Sequence, residues 1–195
     1  MKIFVVRHGE TKWNKVGKVQ GRTDVPLNHE GIRQAKETSK LFDNHELDAL
    51  ITSPLSRAKE TGKILASKAI VHTTYEDPLI IEKSYGVTEG WKVKERYRVY
   101  PNGHAPQEES FKIVRKRMRK AIEAYATQFQ KDVLVVSHGA AIAAMIKELE
   151  PELKQEFLRI ENLSITIIDS KTLKILAWNL DHEHAKNWLN GEKND

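Results

Sequence analysis

"KIFVVRHGETKWN", residues 2–14, decides how the rest of the chain is read. Ile3, Phe4, Val5 and Val6 form a continuous apolar run, the mark of a strand buried on both faces. The run ends on Arg7 and His8, a permanent cation and an imidazole, directly before Gly9. A strand covered on both sides belongs to a parallel sheet flanked by helices. In such sheets, ligands bind beyond the carboxyl ends of the strands. The first polar chemistry of this chain falls at that edge.

The same alternation continues outward. Residues 29–45 have helical spacing with Asn28 as N-cap, and 48–53 form a second strand. Ser53 and Pro54 read as the cap and first residue of a helix reaching about Ser67, and 70–75 as a short strand. From Asp77 to Gln107, periodicity weakens among Pro78, Gly86, Gly90, Pro101, Gly103 and Pro106. A long amphipathic helix follows, then a strand over 133–138 and a helix over 140–149. Strands over 163–169 and 173–178 precede a polar helix or tail. The pattern predicts an α/β three-layer sandwich with a mostly parallel sheet of about six strands. It is expected to be one domain over residues 1–195, with a lid-like excursion at about 77–107.

Of the 195 residues, 39% are apolar and 30% charged, ordinary values for a protein with a buried core. No apolar run approaches the roughly 18 residues a membrane helix needs. The N-terminus reads as a strand rather than a signal sequence, so the cytoplasm is the expected compartment. There is no cysteine, which excludes disulfides, thiol catalysis and cysteine metal sites. The formal net charge of +5 suits either nucleic acid or a small anion. The densest basic run, "KIVRKRMRK" at 112–120, lies on a helix whose apolar face is Val114, Met118, Ala121, Ile122, Tyr125 and Phe129. Its charges read as a solvated face, without the interleaved aromatics of a single-strand binder. Neither a nucleic acid nor a membrane is the expected partner. Monomer and homodimer both stay open.

Three predicted strands deliver polar residues to one edge: Arg7-His8-Gly9, Ser53-Pro54 and Ser137-His138-Gly139. Each histidine precedes a glycine that would let the chain turn sharply. Arg57 falls in the first turn of the helix after Ser53, and another helix opens after His138. Guanidiniums, imidazoles and helix N-termini around one point suit a tetrahedral dianion, whose oxygens an arginine fork binds in pairs.

Four blocks in this order, "RHGETKWN" (7–14), "QGRTDVPLNHEGIRQA" (20–35), "TSPLSRAKET" (52–61) and "VVSHGAAI" (135–142), resemble the histidine phosphatase superfamily. That superfamily includes the cofactor-dependent phosphoglycerate mutases and related phosphatases. The resemblance implies that His8 is the nucleophile and becomes phosphorylated, with Arg7, Arg57 and His138 around the phosphoryl group. It implies polar contacts from Asn14 and Gln20, phosphate contacts at Gly21 and Gly139, and Glu82 as general acid. A small phosphomonoester is the implied substrate, turned over by a phosphatase without metal or cofactor. A mutase is the alternative.

The chain departs from the family pattern in the excursion. Thr88-Glu89-Gly90 stands where many relatives have Trp-Glu-Gly, Glu108-Glu109-Ser110 stands for Gly-Glu-Ser, and Lys83 replaces an arginine found in the mutases. Lys92, Lys94, Arg96 and Arg98 read either as substrate contacts or as a basic loop. Two other classes compete. One is a metal-dependent hydrolase using His8, His138 and Glu82, or the Asp181–His184 run. The other is a non-catalytic module binding a phospho-ligand or nucleic acid.

Overall fold

β1 (Lys2–Arg7) is buried along its apolar run, and its side chains alternate between two cores. In the computed structural model, which describes residues 1–153 and 158–191, β1 lies inside a six-stranded sheet. The other strands are β2 (Glu46–Thr52), β3 (Ile70–Glu76), β4 (Val133–Ser137), β5 (Ile165–Asp169) and β6 (Ile175–Leu180). The helices are α1 (Lys12–Lys15), α2 (His29–Thr38), α3 (Ser56–Leu65), α4 (Val93–Val99), α5 (Phe111–Gln128), α6 (Gly139–Leu149) and α7 (His182–Leu189).

The strand order is β3-β2-β4-β1-β5-β6. β3, β2, β4 and β1 run parallel; β5 pairs antiparallel with β1, and β6 antiparallel with β5, so only β5 is reversed. Ile3 and Val5 join Ile51 and Val135 in the core that also takes Val114, Met118 and Ile142 from α5 and α6. Phe4 and Val6 face the opposite core, with Ala35 and Ala58 from α2 and α3 and Ala185 from α7. These are the expected three layers. No helix among the described residues is long and apolar enough to cross a membrane.

Asn28 caps α2 as expected, accepting from Gly31 N–H at 2.8 Å. The helix stops short of residue 45, because Ser39–Phe42 tighten into a 3₁₀ turn. α3 corrects the reading of Ser53 and Pro54: it begins at Ser56, and Ser53 is not its cap. The orphan Ser56 N–H instead donates 2.9 Å to the carboxylate of Asp24, a partner remote in sequence. After β6, Asp181 caps α7, so the polar segment is a helix; residues 192–195 lie outside the described residues.

Candidate active site

Strand register alone brings the two histidines together. β1 and β4 pair with Arg7 opposite Ser137, so His8 and His138 leave the sheet as neighbours, ring centroids 5.1 Å apart. β2 pairs with β4 with Thr52 opposite Val136, which brings the Ser53 hydroxyl 2.7 Å from His138 Nε2. Backbone bonds continue past the strands: His8 N–H donates to the Ser137 carbonyl at 3.0 Å and Ser53 N–H to Val136 at 3.0 Å. Asn162, after the chain has crossed the sheet, donates to the His8 carbonyl at 2.8 Å.

His8 Nδ1 lies 2.7 Å from the Gly9 carbonyl, so this nitrogen carries the proton and donates. The lone pair is left on Nε2, where Arg57 Nε donates at 3.3 Å. Burial, then the charges of Arg7 and Arg57, hold His8 well below the usual histidine range, against the opposing Gly9 bond. His138 is also held well below it, by burial and then by Arg57, His8 and Arg7. Both imidazoles are therefore neutral near pH 7. Gly9 is required by close approach: a β-carbon there would lie 2.7 Å from the Gly31 carbonyl oxygen. Neither Gly9 nor Gly139 has the left-handed φ of a sharp turn, which corrects that reading of both.

Arg57 is fully buried, and burial lowers its pKa against the pull of Glu82. Its remaining donors tie down the 20–24 loop, with Nη1 on the Thr23 carbonyl at 3.0 Å and Nη2 on the Gly21 carbonyl at 2.8 Å. Gly21 has φ +56°, a left-handed conformation that favours glycine. Glu89 holds the same loop, accepting from Arg22 N–H at 3.0 Å and Thr23 N–H at 2.9 Å. Arg7 Nη1 donates to the Ile160 carbonyl at 2.6 Å, while its Nε is buried without a protein partner. Thr11, the cap of α1, holds Asn14 Oδ1 at 3.1 Å and Gln20 Oε1 at 2.8 Å, which turns both amide NH₂ groups into donors for the cleft.

Glu82 is buried at the start of α6. Its carboxylate accepts from Lys83 N–H at 2.8 Å, Ala140 N–H at 3.2 Å and Ala141 N–H at 3.0 Å. The segment leading to it is pinned from behind. Ser137 Oγ donates to the Ile80 carbonyl at 2.8 Å, and Arg117 Nη1 to the Leu79 and Ile81 carbonyls at 2.7 and 2.6 Å. Arg117 also grips Glu109 through two nitrogens, at 2.9 and 3.1 Å. This corrects the reading of the 112–120 charges as a solvated face: Lys112, Lys116, Arg119 and Lys120 are exposed, but Arg117 and Arg115 are half-buried.

Arg7, His8, Asn14, Gln20, Arg57 and Glu82 line one cleft of about 210 Å³, joined by Gly21 and Gly139. Of the site residues expected from the sequence, only His138, fully buried with its ring 5.1 Å from that of His8, does not line the cleft. Lys18, Tyr85, Arg96 and Tyr97 also line it and went unrecognised in that role, except that Arg96 was one of four basic candidates. Arg96 turns inward and bonds Glu108 at 2.6 Å, Lys92 Nζ donates to the Val16 carbonyl at 2.7 Å, and Lys94 and Arg98 are exposed. Lys83 pairs with the same Glu108 carboxylate, and the Tyr85 ring lies 4.2 Å from Lys83 Nζ and 5.0 Å from the Arg96 guanidinium. The departures at Lys83 and Glu108 thus satisfy each other, and Glu108 lacks the positive φ that would demand glycine.

The donor set does not suit a metal at His8, because a guanidinium points at its free nitrogen. Among the described residues, no cluster of three or more histidine or acidic side chains is arranged to hold an ion. Asp181 accepts from His184 N–H at 2.9 Å as a helix cap, which accounts for the C-terminal acidic-histidine run.

The family model of the histidine phosphatase superfamily (branch 1) matches residues 3–181. The chain is 35% identical to the uncharacterized phosphatase PhoE of Bacillus subtilis, over 97% of each protein. It is 30% identical to the probable phosphoglycerate mutase GpmB of Proteus mirabilis, over 91% of this chain and 88% of that one. A mutant phosphoserine phosphatase of Entamoeba histolytica, solved with phosphoserine, superposes with a TM-score of 0.79 at 27% identity, covering 94% of this chain and 98% of that one. Family model, relatives and the paired histidines at the sheet edge agree: the chain belongs to branch 1 of the histidine phosphatase superfamily.

Proposed function

We propose that the protein hydrolyses small phosphomonoesters through a phosphohistidine formed on His8. The observation that carries this reading is the His8 ring: Nδ1 bonded to Gly9, a lone pair on Nε2, and burial that keeps it neutral. Nε2 attacks phosphorus, the N–P bond forms, and the P–O bond to the alcohol breaks. Arg57 shifts its Nε–H from the imidazole to a phosphoryl oxygen, where Arg7 and neutral His138 also stabilise the charge. Asn14 and Gln20 donate their NH₂ groups; at the start of α6 the Ala140 and Ala141 N–H groups are held by Glu82, which leaves the Gly139 N–H to face the phosphate. Glu82 gives a proton to the departing alkoxide, then takes one from the water that splits the N–P bond and releases phosphate. No metal or cofactor enters this sequence.

Hydrolysis is favoured over mutase chemistry by how the cations of the excursion are used. A mutase must retain a second acidic group and exclude water while the product reorients. Lys83 is buried against Glu108, and Arg96 shares the same carboxylate. The test is turnover of alkyl and aryl phosphomonoesters in EDTA, quenched in alkali, with the phosphorylated residue mapped by mass spectrometry. Phosphate release with the label on His8 is expected, and His8→Ala should lose several orders of magnitude in rate. A label elsewhere, chelator-sensitive turnover, or interconversion of 2- and 3-phosphoglycerate without phosphate release would overturn the reading.

A further inference from the structure

Beside the phosphate cleft lies a second compartment of about 310 Å³ that the proposed chemistry does not use. The two share Tyr85, Arg96, Tyr97, Gly139 and Ala140, so they adjoin along these residues. The compartment runs along α6, whose first turn lies at Glu82 and whose Ala140, Ala143 and Ala144 form a wall of small side chains. From Gly139 to Lys147 that wall is about 12 Å long, at about 1.5 Å of rise per residue. Phe111 and Arg115, four apart and so on one face of α5, also line it, together with Leu158 and Ile160. The Ile160 carbonyl is also the acceptor that holds Arg7, which ties this lining to the phosphate clamp.

The compartment's lining is mostly apolar and aromatic; its charged residues are Arg96, Arg115 and Lys147, and none of its described lining residues is acidic. Arg115 makes no ion pair among the described residues, and its Nε is buried without a hydrogen-bond partner. Arg117, two positions on, has found Glu109 and two carbonyls. Arg115 thus brings a guanidinium with no carboxylate partner among the described residues to the lining of the compartment, where an anion on a ligand would pair with it.

Resting on the hydrolase reading above, we infer that this compartment is the leaving-group site, and that Arg115 reads a second anionic group on it. The substrate class is a phosphomonoester of an alcohol with an apolar or aromatic body ending in a carboxylate or similar anion. The body packs between Tyr85, Tyr97, Phe111 and the alanines of α6, and the anion completes Arg115. Small phosphorylated hydroxy acids, whose carboxylate lies a few bonds from the ester oxygen, leave the compartment unfilled.

The test compares kcat/KM for phenyl phosphate with those for its 3- and 4-carboxy derivatives. At least one carboxylated ester should be preferred by about tenfold, the scale of one charge-assisted hydrogen bond. Arg115→Gln should bring that ratio near unity, and Lys120→Gln, on the exposed side of α5, should not change it. Ala143→Leu, which narrows the compartment, should raise KM for all three aryl esters more than for methyl phosphate. Phosphatase turnover with no carboxylate preference, or a ratio unchanged in Arg115→Gln, overturns the subsite and leaves the hydrolase reading standing. Absence of turnover with every ester overturns both.

Discussion

His8 and His138 stand where backbone ladders put them, whereas Glu82 stands where side-chain bonds put it. The histidines extend β1 and β4, parallel neighbours fixed over five residue pairs from Ile3–Val133 to Arg7–Ser137. Slipping that register by one would turn the apolar run inside out, so the core itself enforces the alignment. Glu82 belongs to the stretch between β3 and α5, which has only short 3₁₀ turns and α4. Its position depends on Arg117 behind it, the Lys83–Glu108–Arg96 cluster beside it and the first turn of α6 in front. The proposed nucleophile and Arg7 thus stand on the rigid sheet, with Arg57 on α3 beside it. Glu82, the proposed proton donor, hangs on a polar network that substitution can loosen separately.

Replacing the donor gives the largest effect that separates the two regions. Glu82→Gln should slow release of alkyl alcohols by about 10²–10⁴-fold, because an alkoxide needs its proton in the transition state. An activated aryl ester, whose phenolate leaves unaided, should lose far less. Single-turnover rates are the proper measurement, since slow dephosphorylation of His8 would mask the difference at steady state. Equal losses on both esters would show that Glu82 positions substrate instead of donating.

Loosening the network comes next. Glu108→Gln would leave Lys83 and Arg96, with side chains only 1% and 7% exposed, sharing no carboxylate. Breaking a buried pair from one side typically costs about 3–5 kcal/mol. Hydrogen exchange should accelerate across residues 77–107 while the β1–β4 ladder keeps its protection. Equal acceleration in both would mean that the two regions unfold as one unit, and the contrast would fail.

The smallest effect probes the sheet edge. His8 and His138 are held neutral in the fold, well below the usual histidine range. Unfolded histidines bind protons below about pH 6.5, so the unfolded state then holds more protons than the native one. Stability should fall as pH drops below that value, by at most about 1.4 kcal/mol per pH unit for each histidine. Denaturant midpoints between pH 6.5 and 5 would measure the slope, and His138→Gln should remove one histidine's share. An unchanged slope would show that His138 takes up a proton in the fold.

The sequence by itself determined the chemistry at the sheet edge and the layers that present it. Ile3 to Val6 and Val133 to Val136 are continuous apolar runs, and each hands its next polar residues to the same edge. Strand geometry is local and periodic, so Arg7, His8 and His138 could be placed without knowing their neighbours. The strand–helix pattern also reached Arg57, the motif blocks added Asn14 and Gln20, and the family resemblance added Glu82 in the excursion. Tertiary structure alone decided which partners hold them. Ser53 reads as a helix cap from its neighbours, but in the fold it meets His138, and α3 takes its cap from Asp24. The 112–120 charges are one basic run in sequence, yet Arg117 braces Glu82 and Arg115 turns to an apolar cavity, while Lys112, Lys116, Arg119 and Lys120 stay in water. Asn162 reaches His8 from 154 residues away, and Lys83 finds Glu108 across the excursion. Such pairings depend on which side chains converge after long loops close, and a buried charge commits to whichever partner lies within reach. No local period encodes that choice.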